Sequence, residues 1–114
     1  GAARDHRFLS NNPPQVEWSG FLSEGYELKN SAAAEAAFGK AFDAVYGGSV
    51  PDLVFTALTD TRFYGLNYNI PSLCFGADGA AMHGFNEYVD LDSLRKTTKA
   101  IALFVAGWCG VELA

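Results

Sequence analysis

The spacing of apolar residues predicts an amphipathic helix in the first half of the chain. Beyond Asn30 and Ser31, apolar residues recur every three or four positions, as they do along a helix that buries one face. This face is predicted to carry Ala34, Phe38, Ala41, Phe42 and Val45. Asn30 or Ser31 is expected to accept hydrogen bonds from the first free N–H groups, and Gly47 and Gly48 are expected to end the helix.

Two further helices are predicted from similar signals. A short helix is expected to begin at a capping Asp60 and to run through Leu66. A long helix is expected near the end of the chain, capped by Asp90 or Asp92 and closed by Gly110. Its apolar face is predicted at Leu94, Thr98, Ile101, Val105 and Trp108.

The other apolar segments predict strands. Residues 15–28 alternate between apolar and polar side chains, which is typical of a half-buried strand, and a second short strand is expected at 26–28. The runs 53–58 and 70–75 are apolar without alternation, as in strands that helices cover on both faces. Strands and helices in this order predict an α/β fold, in which sites form at the carboxyl ends of strands.

Charge and composition narrow the classes of partner. Thirteen acidic and eight basic residues give a net charge of −5, and the basic residues are scattered, so no nucleic-acid partner is expected. No apolar run reaches the roughly 18 residues of a membrane span, so no membrane contact is expected and a cytoplasmic location is the simplest interpretation. Cys74 and Cys109 form no close pair, which predicts reduced, partly buried thiols.

His83 is the first candidate for chemistry. It lies in a glycine-rich segment, residues 76–87, and small neighbours allow the backbone to approach a ligand closely. A neutral imidazole there can bind zinc, with Asn86 and Glu87 orienting the ring through hydrogen bonds. The alternative is a loop histidine that hydrogen-bonds a nearby carbonyl group, beside ordinary polar residues.

A second candidate is the turn of residues 59–62. Asp60 and Arg62 lie at the mouth of the predicted short helix, where free N–H groups and a guanidinium group can hold a substrate carboxylate. The alternative is a helix-capping aspartate next to an exposed arginine. No His-x-Asp pair, HExxH motif or adjacent Glu-Glu pair occurs, so the sequence offers no complete set of ligands and base for a catalytic zinc.

Three segments, in this order, resemble the signature of one family. They are Thr-Asp-Thr-Arg-Phe-Tyr-Gly at 59–65, Ile-Pro-Ser-Leu-Cys-Phe-Gly at 70–76 and His-Gly-Phe-Asn-Glu-Tyr-Val at 83–89. The family comprises acetylornithine deacetylase, succinyl-diaminopimelate desuccinylase and carboxypeptidase G. Residues 14–21 also resemble the end of the lid domain of this family, so the resemblance extends over most of the chain.

The resemblance implies a particular domain organisation. Residues 1–28 would be the last helix and strand of a lid or dimerisation domain. Residues 29–114 would be the C-terminal half of a zinc-exopeptidase-like catalytic domain with three layers of sheet and helices. The N-terminal half of that domain would then be a partner that this chain lacks, and the enzyme is expected to be a homo-oligomer.

The resemblance also implies an activity. The intact enzyme would hydrolyse the amide bond of N-acyl amino acids or small peptides with two zinc ions, or with cobalt or manganese in their place. His83 would be a metal ligand, and the substrate would be bound by Thr59, Asp60, Arg62 and Gly76. No catalytic base is implied in this chain, which would be inactive alone.

Two other interpretations remain open. The chain could be a non-catalytic binding or assembly domain derived from the same fold. It could also be a hydrolase that uses Cys74 or a serine with His83, although Cys74 lies in an apolar run where a thiol tends to be inert.

Overall fold

The computed structural model describes residues 2–112 as a mixed structure of helices and one small sheet. The elements are a 3-10 helix at Ala2–Asp5, α1 at Ala32–Tyr46, α2 at Thr61–Tyr68, β1 at Gly79–Ala80, β2 at Tyr88–Val89 and α3 at Leu91–Cys109. The radius of gyration is 20.9 Å, whereas a compact domain of this length would have about 13 Å. None of the described helices is long and apolar enough to cross a membrane.

The first predicted helix is confirmed as α1. Its sequence is rich in alanine and has no proline, which favours a helix, and Ala34, Phe38, Ala41 and Phe42 are buried as predicted. The hydrogen bond predicted for the Ser31 cap is absent. The Ser31 hydroxyl donates to the Glu35 carboxylate at 3.0 Å and accepts from no helix N–H group. Gly47, at φ +71°, ends α1 as predicted.

Asp90 caps α3, which decides between the two predicted aspartates. Its carboxylate accepts a hydrogen bond from the Ser93 N–H at 2.6 Å. The backbone of Asp90 is extended, which aims the side chain at the first turn, whereas Ser31 and Asp60 have helical backbone angles and make no such bond. Asp92 instead forms an exposed ion pair with Arg95 at 2.9 Å.

The core lies between α1 and α3. Phe38 is its centre, with ring centroids 4.9 Å from Phe75, 5.8 Å from Phe104 and 6.3 Å from Phe42. These edge and tilted contacts are the arrangements that aromatic rings prefer. The fully buried Ala100 gives the rings of α1 room to approach α3.

The predicted buried face of α3 is wrong by one position. The buried residues are Ser93, Thr97 and Ala100, with Phe104 half-buried. All five residues of the predicted face are exposed, including Thr98, and the apolar stripe of Leu94, Ile101, Val105 and Trp108 is between 43% and 54% exposed. The large aromatic residues of α1 explain the shift, because small residues on α3 are needed opposite them.

The predicted long strands are absent from the described residues. Residues 15–28, 53–58 and 70–75 are extended or irregular and carry no strand pairing. A strand needs a neighbouring strand to satisfy its N–H and C=O groups, and none lies beside these segments. Leu53 and Val54 are accordingly 80% and 92% exposed.

The short helix and the glycine-rich segment are both present. The predicted Asp60–Leu66 helix corresponds to α2, which ends at Asn69 in the left-handed conformation. The segment 76–87 forms half of an antiparallel pair, in which Gly79 lies opposite Val89 and Ala80 opposite Tyr88. Residues 81–87 therefore form a loop between β1 and β2, just before α3.

Candidate functional site

Residues 59–62 form the turn at which α2 begins, and the carboxylate of Asp60 is exposed there. The hydroxyl groups of Thr59 and Thr61 are hydrogen-bonded to each other. The Phe63 N–H donates to the Asp60 carbonyl at 3.0 Å, so the helix begins there, but the Asp60 carboxylate accepts no bond from the first turn. Asp60 is exposed, and its carboxylate can meet a ligand or solvent.

Arg62 is held in a half-buried position beside an aromatic ring. The centre of its guanidinium group lies 5.2 Å from the centroid of the Phe21 ring, within the range of a cation–π interaction. Its Nε atom is buried and has no hydrogen-bond partner among the described residues. A buried donor without an acceptor costs about 1–3 kcal/mol, so an acceptor brought by a ligand would be stabilised there.

Thr59 and Arg62 line a cleft of about 270 Å³. The other walls are formed by Gly25, Tyr26 and the extended residues 55–58. Most of these walls are apolar, and Arg62 is the one charged residue among the described residues that line them. Gly76 and His83 do not line this cleft.

His83 lies in the loop between β1 and β2. It is exposed, and its backbone is left-handed at φ +62°, like that of Ala81 at +58° and Asn86 at +57°. The Gly84 N–H donates to the Ala81 carbonyl at 2.7 Å, which closes a tight turn around His83. The imidazole makes no hydrogen bond to any described residue. The alternative of a loop histidine that hydrogen-bonds a nearby carbonyl group therefore finds no acceptor among these residues.

The neighbours of His83 are separate from its ring. Asn86 and Glu87 are exposed, and no hydrogen bond joins either to His83 within residues 2–112. Across the same residues, no group of three histidine, cysteine or carboxylate side chains comes close enough to hold a metal ion. The roles of Asn86 and Glu87 therefore stay predictions.

The two thiols differ from expectation. Cys74 and Cys109 are free, as predicted, but both are exposed, so the prediction of partial burial is wrong. Within the 70–75 run, Ile70 and Cys74 are exposed, whereas Phe75 packs against Phe38 in the core.

Sequence reasoning missed two aromatic residues beside Arg62 and its cleft. Phe21 covers the Arg62 guanidinium group, and Tyr26 forms part of the cleft wall. Phe21 lies in the alternating segment and Tyr26 in the second short strand that the sequence predicts. Their large aromatic rings, in a segment without a pairing partner, are the only signal that marks them.

The family model for peptidase family M20/M25/M40 matches residues 14–107, which include both the 59–62 turn and the His83 loop. The chain belongs to this family. A comparison with curated proteins finds no match. M20/M25/M40 peptidases are hydrolases that generally bind divalent metals such as zinc. The coarse prediction of a metallopeptidase-type hydrolase is thereby confirmed, and the mixed helix and sheet structure is consistent with part of a domain of this family.

The described residues do not form a complete site for such a metal. A catalytic zinc takes three protein ligands, and His83 alone presents a free imidazole without a neighbouring donor. In a protein of the M20/M25/M40 family, further ligands would have to come from residues outside this set. The metal, when bound, supplies a Lewis acid and an activated water.

Proposed function

We propose that this chain is part of a zinc-dependent amide hydrolase that cleaves N-acyl amino acids or small peptides, of the deacetylase, desuccinylase or carboxypeptidase G type. The observation that carries the proposal is the family match, because one match at 14–107 runs through both the 59–62 turn and His83. The proposed enzyme is cytoplasmic and homo-oligomeric.

The proposed domain organisation follows from the same resemblance. Residues 1–28 belong to the end of a lid domain, and residues 29–114 form the C-terminal half of a three-layer catalytic domain. The extended, exposed run 53–58 supports this proposal, because an apolar segment of this kind needs pairing strands and covering helices. The N-terminal half of the catalytic domain would supply both, along with the other metal ligands and the base.

Arg62 binds the substrate carboxylate in this proposal. Its guanidinium group presents parallel N–H donors that match the two oxygens of a carboxylate. The buried, unpartnered Nε gives one of these donors, and the Phe21 ring restricts the movement of the side chain. Thr59 adds a hydroxyl group to the same cleft, and Asp60 and Gly76 are assigned to the substrate by the resemblance alone.

His83 is proposed as a metal ligand. The left-handed turn presents its imidazole to solvent, where it can meet a metal held by the rest of the catalytic domain. Asn86 and Glu87 are proposed to orient the ring once the rest of the catalytic domain covers the loop. Cobalt or manganese could take the place of zinc in the same donors.

The proposal for Arg62 is tested with the product of the complete gene. Arg62→Lys and Arg62→Ala are assayed on N-acyl amino acids and on the same substrates as methyl esters. A lost carboxylate contact should lower kcat/KM for the free acids by about tenfold or more and leave the esters nearly unchanged. Arg95→Ala is the matched control, because Arg95 is exposed and pairs only with Asp92.

The proposal for His83 is tested by metal analysis of the same protein. His83→Ala should remove about one metal ion per chain and abolish hydrolysis, whereas His6→Ala should do neither. Loss of activity on alkylation of Cys74, with indifference to chelators, would favour the thiol hydrolase. A wild-type protein that is inert with zinc supplied would favour a binding or assembly domain.

A further inference from the structure

Tyr26 connects three parts of the chain that are distant in sequence. Its hydroxyl oxygen accepts a hydrogen bond from the Ser72 N–H at 3.0 Å. Its ring lies against Gly65 on α2 so closely that a Cβ atom at residue 65 would overlap the ring. Tyr26 is half-buried, although residues 15–22 before it are all exposed.

The contact with Gly65 acts on the helix that carries Arg62. Residues three apart on a helix lie on the same side, so Arg62 and Gly65 form adjacent points of one surface of α2. Phe21 contacts Arg62, and Tyr26 contacts Gly65. The segment 21–26 therefore packs along α2 at the position of the proposed carboxylate site.

Tyr26 also lines two cavities. The first is the Arg62 cleft of about 270 Å³. The second has about 210 Å³ and is lined by Tyr26, Glu27, Lys29, Gly65, Leu66, Asn69 and Ile70. Among the described residues, Tyr26 is the one lining residue that the two cavities share, so it is part of the wall of each. Without the ring, a group bound in the first cavity could extend into the second.

From this geometry we infer that Tyr26 is a positioning and specificity residue, which holds α2 in place for Arg62 and limits the size of the group beside an Arg62-bound carboxylate. The inference rests on the proposed function for its substrate. The ligand class is a small carboxylate whose substituent fits within the first cavity. A bulkier substituent would collide with the Tyr26 ring.

The experiment uses the complete gene product and N-acyl amino acids of increasing side-chain size. Tyr26→Ala should shift the ratio of kcat/KM for large over small side chains by about tenfold toward the large ones. Tyr26→Phe retains the wall and should keep the wild-type ratio, with only a modest rise in KM from the lost Ser72 bond. An unchanged ratio in Tyr26→Ala, with Arg62→Ala still impaired, overturns this inference and leaves the proposed function standing.

A second variant covers the case in which Tyr26→Ala does not fold. Gly65→Ala pushes the ring away from α2 and should raise KM, and Gly39→Ala in α1 is the control because a Cβ there meets open space. Combining Gly65→Ala with Tyr26→Ala should be no worse than either variant alone, since both remove one contact. Fully additive effects would contradict the role of that contact.

A wild-type protein that hydrolyses none of the substrates would refute the proposed function. The positioning role is then decided on the 114-residue chain by amide NMR shifts. Tyr26→Ala should move the amide signals of Arg62 and Ser72, and Tyr26→Phe should move that of Ser72 alone. An unmoved Arg62 amide in Tyr26→Ala would overturn the inference.

Discussion

The hydroxyl group of Tyr46, in the last turn of α1, lies 3.1 Å from the hydroxyl group of Thr97 on α3. Thr97 is buried, so this bond satisfies a polar group in the core of the described residues. The Tyr46 ring also stacks on Phe42, with centroids 4.5 Å apart and ring planes 10° from parallel. One side chain therefore gives α1 both a polar and an aromatic contact in this core.

Thr97→Val should lower the free energy of unfolding by about 0.5–1.5 kcal/mol, because it removes the bond between the two hydroxyl groups and leaves Tyr46 only its longer bond of 3.5 Å to the Ser93 carbonyl. Thr98→Val is the control, since Thr98 is exposed and donates only to the Leu94 carbonyl of its own helix. Urea unfolding measures both. If Tyr46→Phe and Thr97→Val have additive effects, the bond between the two hydroxyl groups contributes nothing.

Asp90→Ala should destabilise α3 by about 0.5–2 kcal/mol, because the Ser93 N–H loses its acceptor at the start of the helix. The effect is measured as a lower urea midpoint and a smaller helical circular dichroism signal. Asp92→Ala should change stability by less than about 0.5 kcal/mol, since its ion pair with Arg95 is exposed. Equal effects of the two variants would show that charge near the helix start, and not the cap, is responsible.

Ala81→Gly should stabilise the β1–β2 loop by about 1 kcal/mol, because the left-handed backbone at φ +58° is unfavourable for a residue with a Cβ atom. Ala80→Gly, one position earlier, serves as the control. Ala80 lies in β1, so glycine there should destabilise by about 0.5–1 kcal/mol through greater freedom of the unfolded chain. Thermal unfolding measures the change in stability of each variant. A change of the same sign in both would contradict the backbone strain assigned to Ala81.

The exposed apolar stripe of α3 should make the isolated chain associate with itself. Ile101→Lys combined with Val105→Lys should lower the scattering mass at high protein concentration, because the stripe loses two apolar side chains. The added positive charge brings the net charge of −5 closer to zero, which by itself would favour association. Val16→Lys tests an exposed apolar residue elsewhere, and an equal reduction there would show that the α3 stripe has no special role.

The helices could be predicted because their signals are local. Alanine content, apolar spacing and end residues such as Gly47 lie within a few positions of the structure that they specify. The caps were predicted less well, since Ser31, Asp60 and Asp90 are all suitable residues and only Asp90 has the extended backbone that a cap requires. That backbone angle depends on the β2 pairing just before it.

The buried face of α3 and the pairing of strands depend on contacts between distant residues, which the order of apolar and polar residues along the chain does not contain. The apolar stripe at Ile101 has the better pattern, yet Thr97 and Ala100 are buried because their small size suits the aromatic side of α1. The runs 53–58 and 70–75 have the composition of strands, but their pairing depends on a neighbour that is not among the described residues.

The structure brings together only some of the predicted site residues. Thr59 and Arg62 line one cleft, whereas Asp60, Gly76 and His83 do not line it, and Tyr26 was not predicted. The roles that the resemblance gives to His83 and to the residues around it stay predictions.

The contact between Gly65 and the Tyr26 ring also restricts how this chain can change during evolution. A larger residue at position 65 overlaps the ring, so it becomes acceptable only after position 26 has lost its aromatic side chain. The reverse order is open, since a smaller residue at 26 leaves glycine at 65 unhindered. We therefore expect related sequences to vary at the two positions together, with a non-glycine residue at 65 found only beside a small residue at 26.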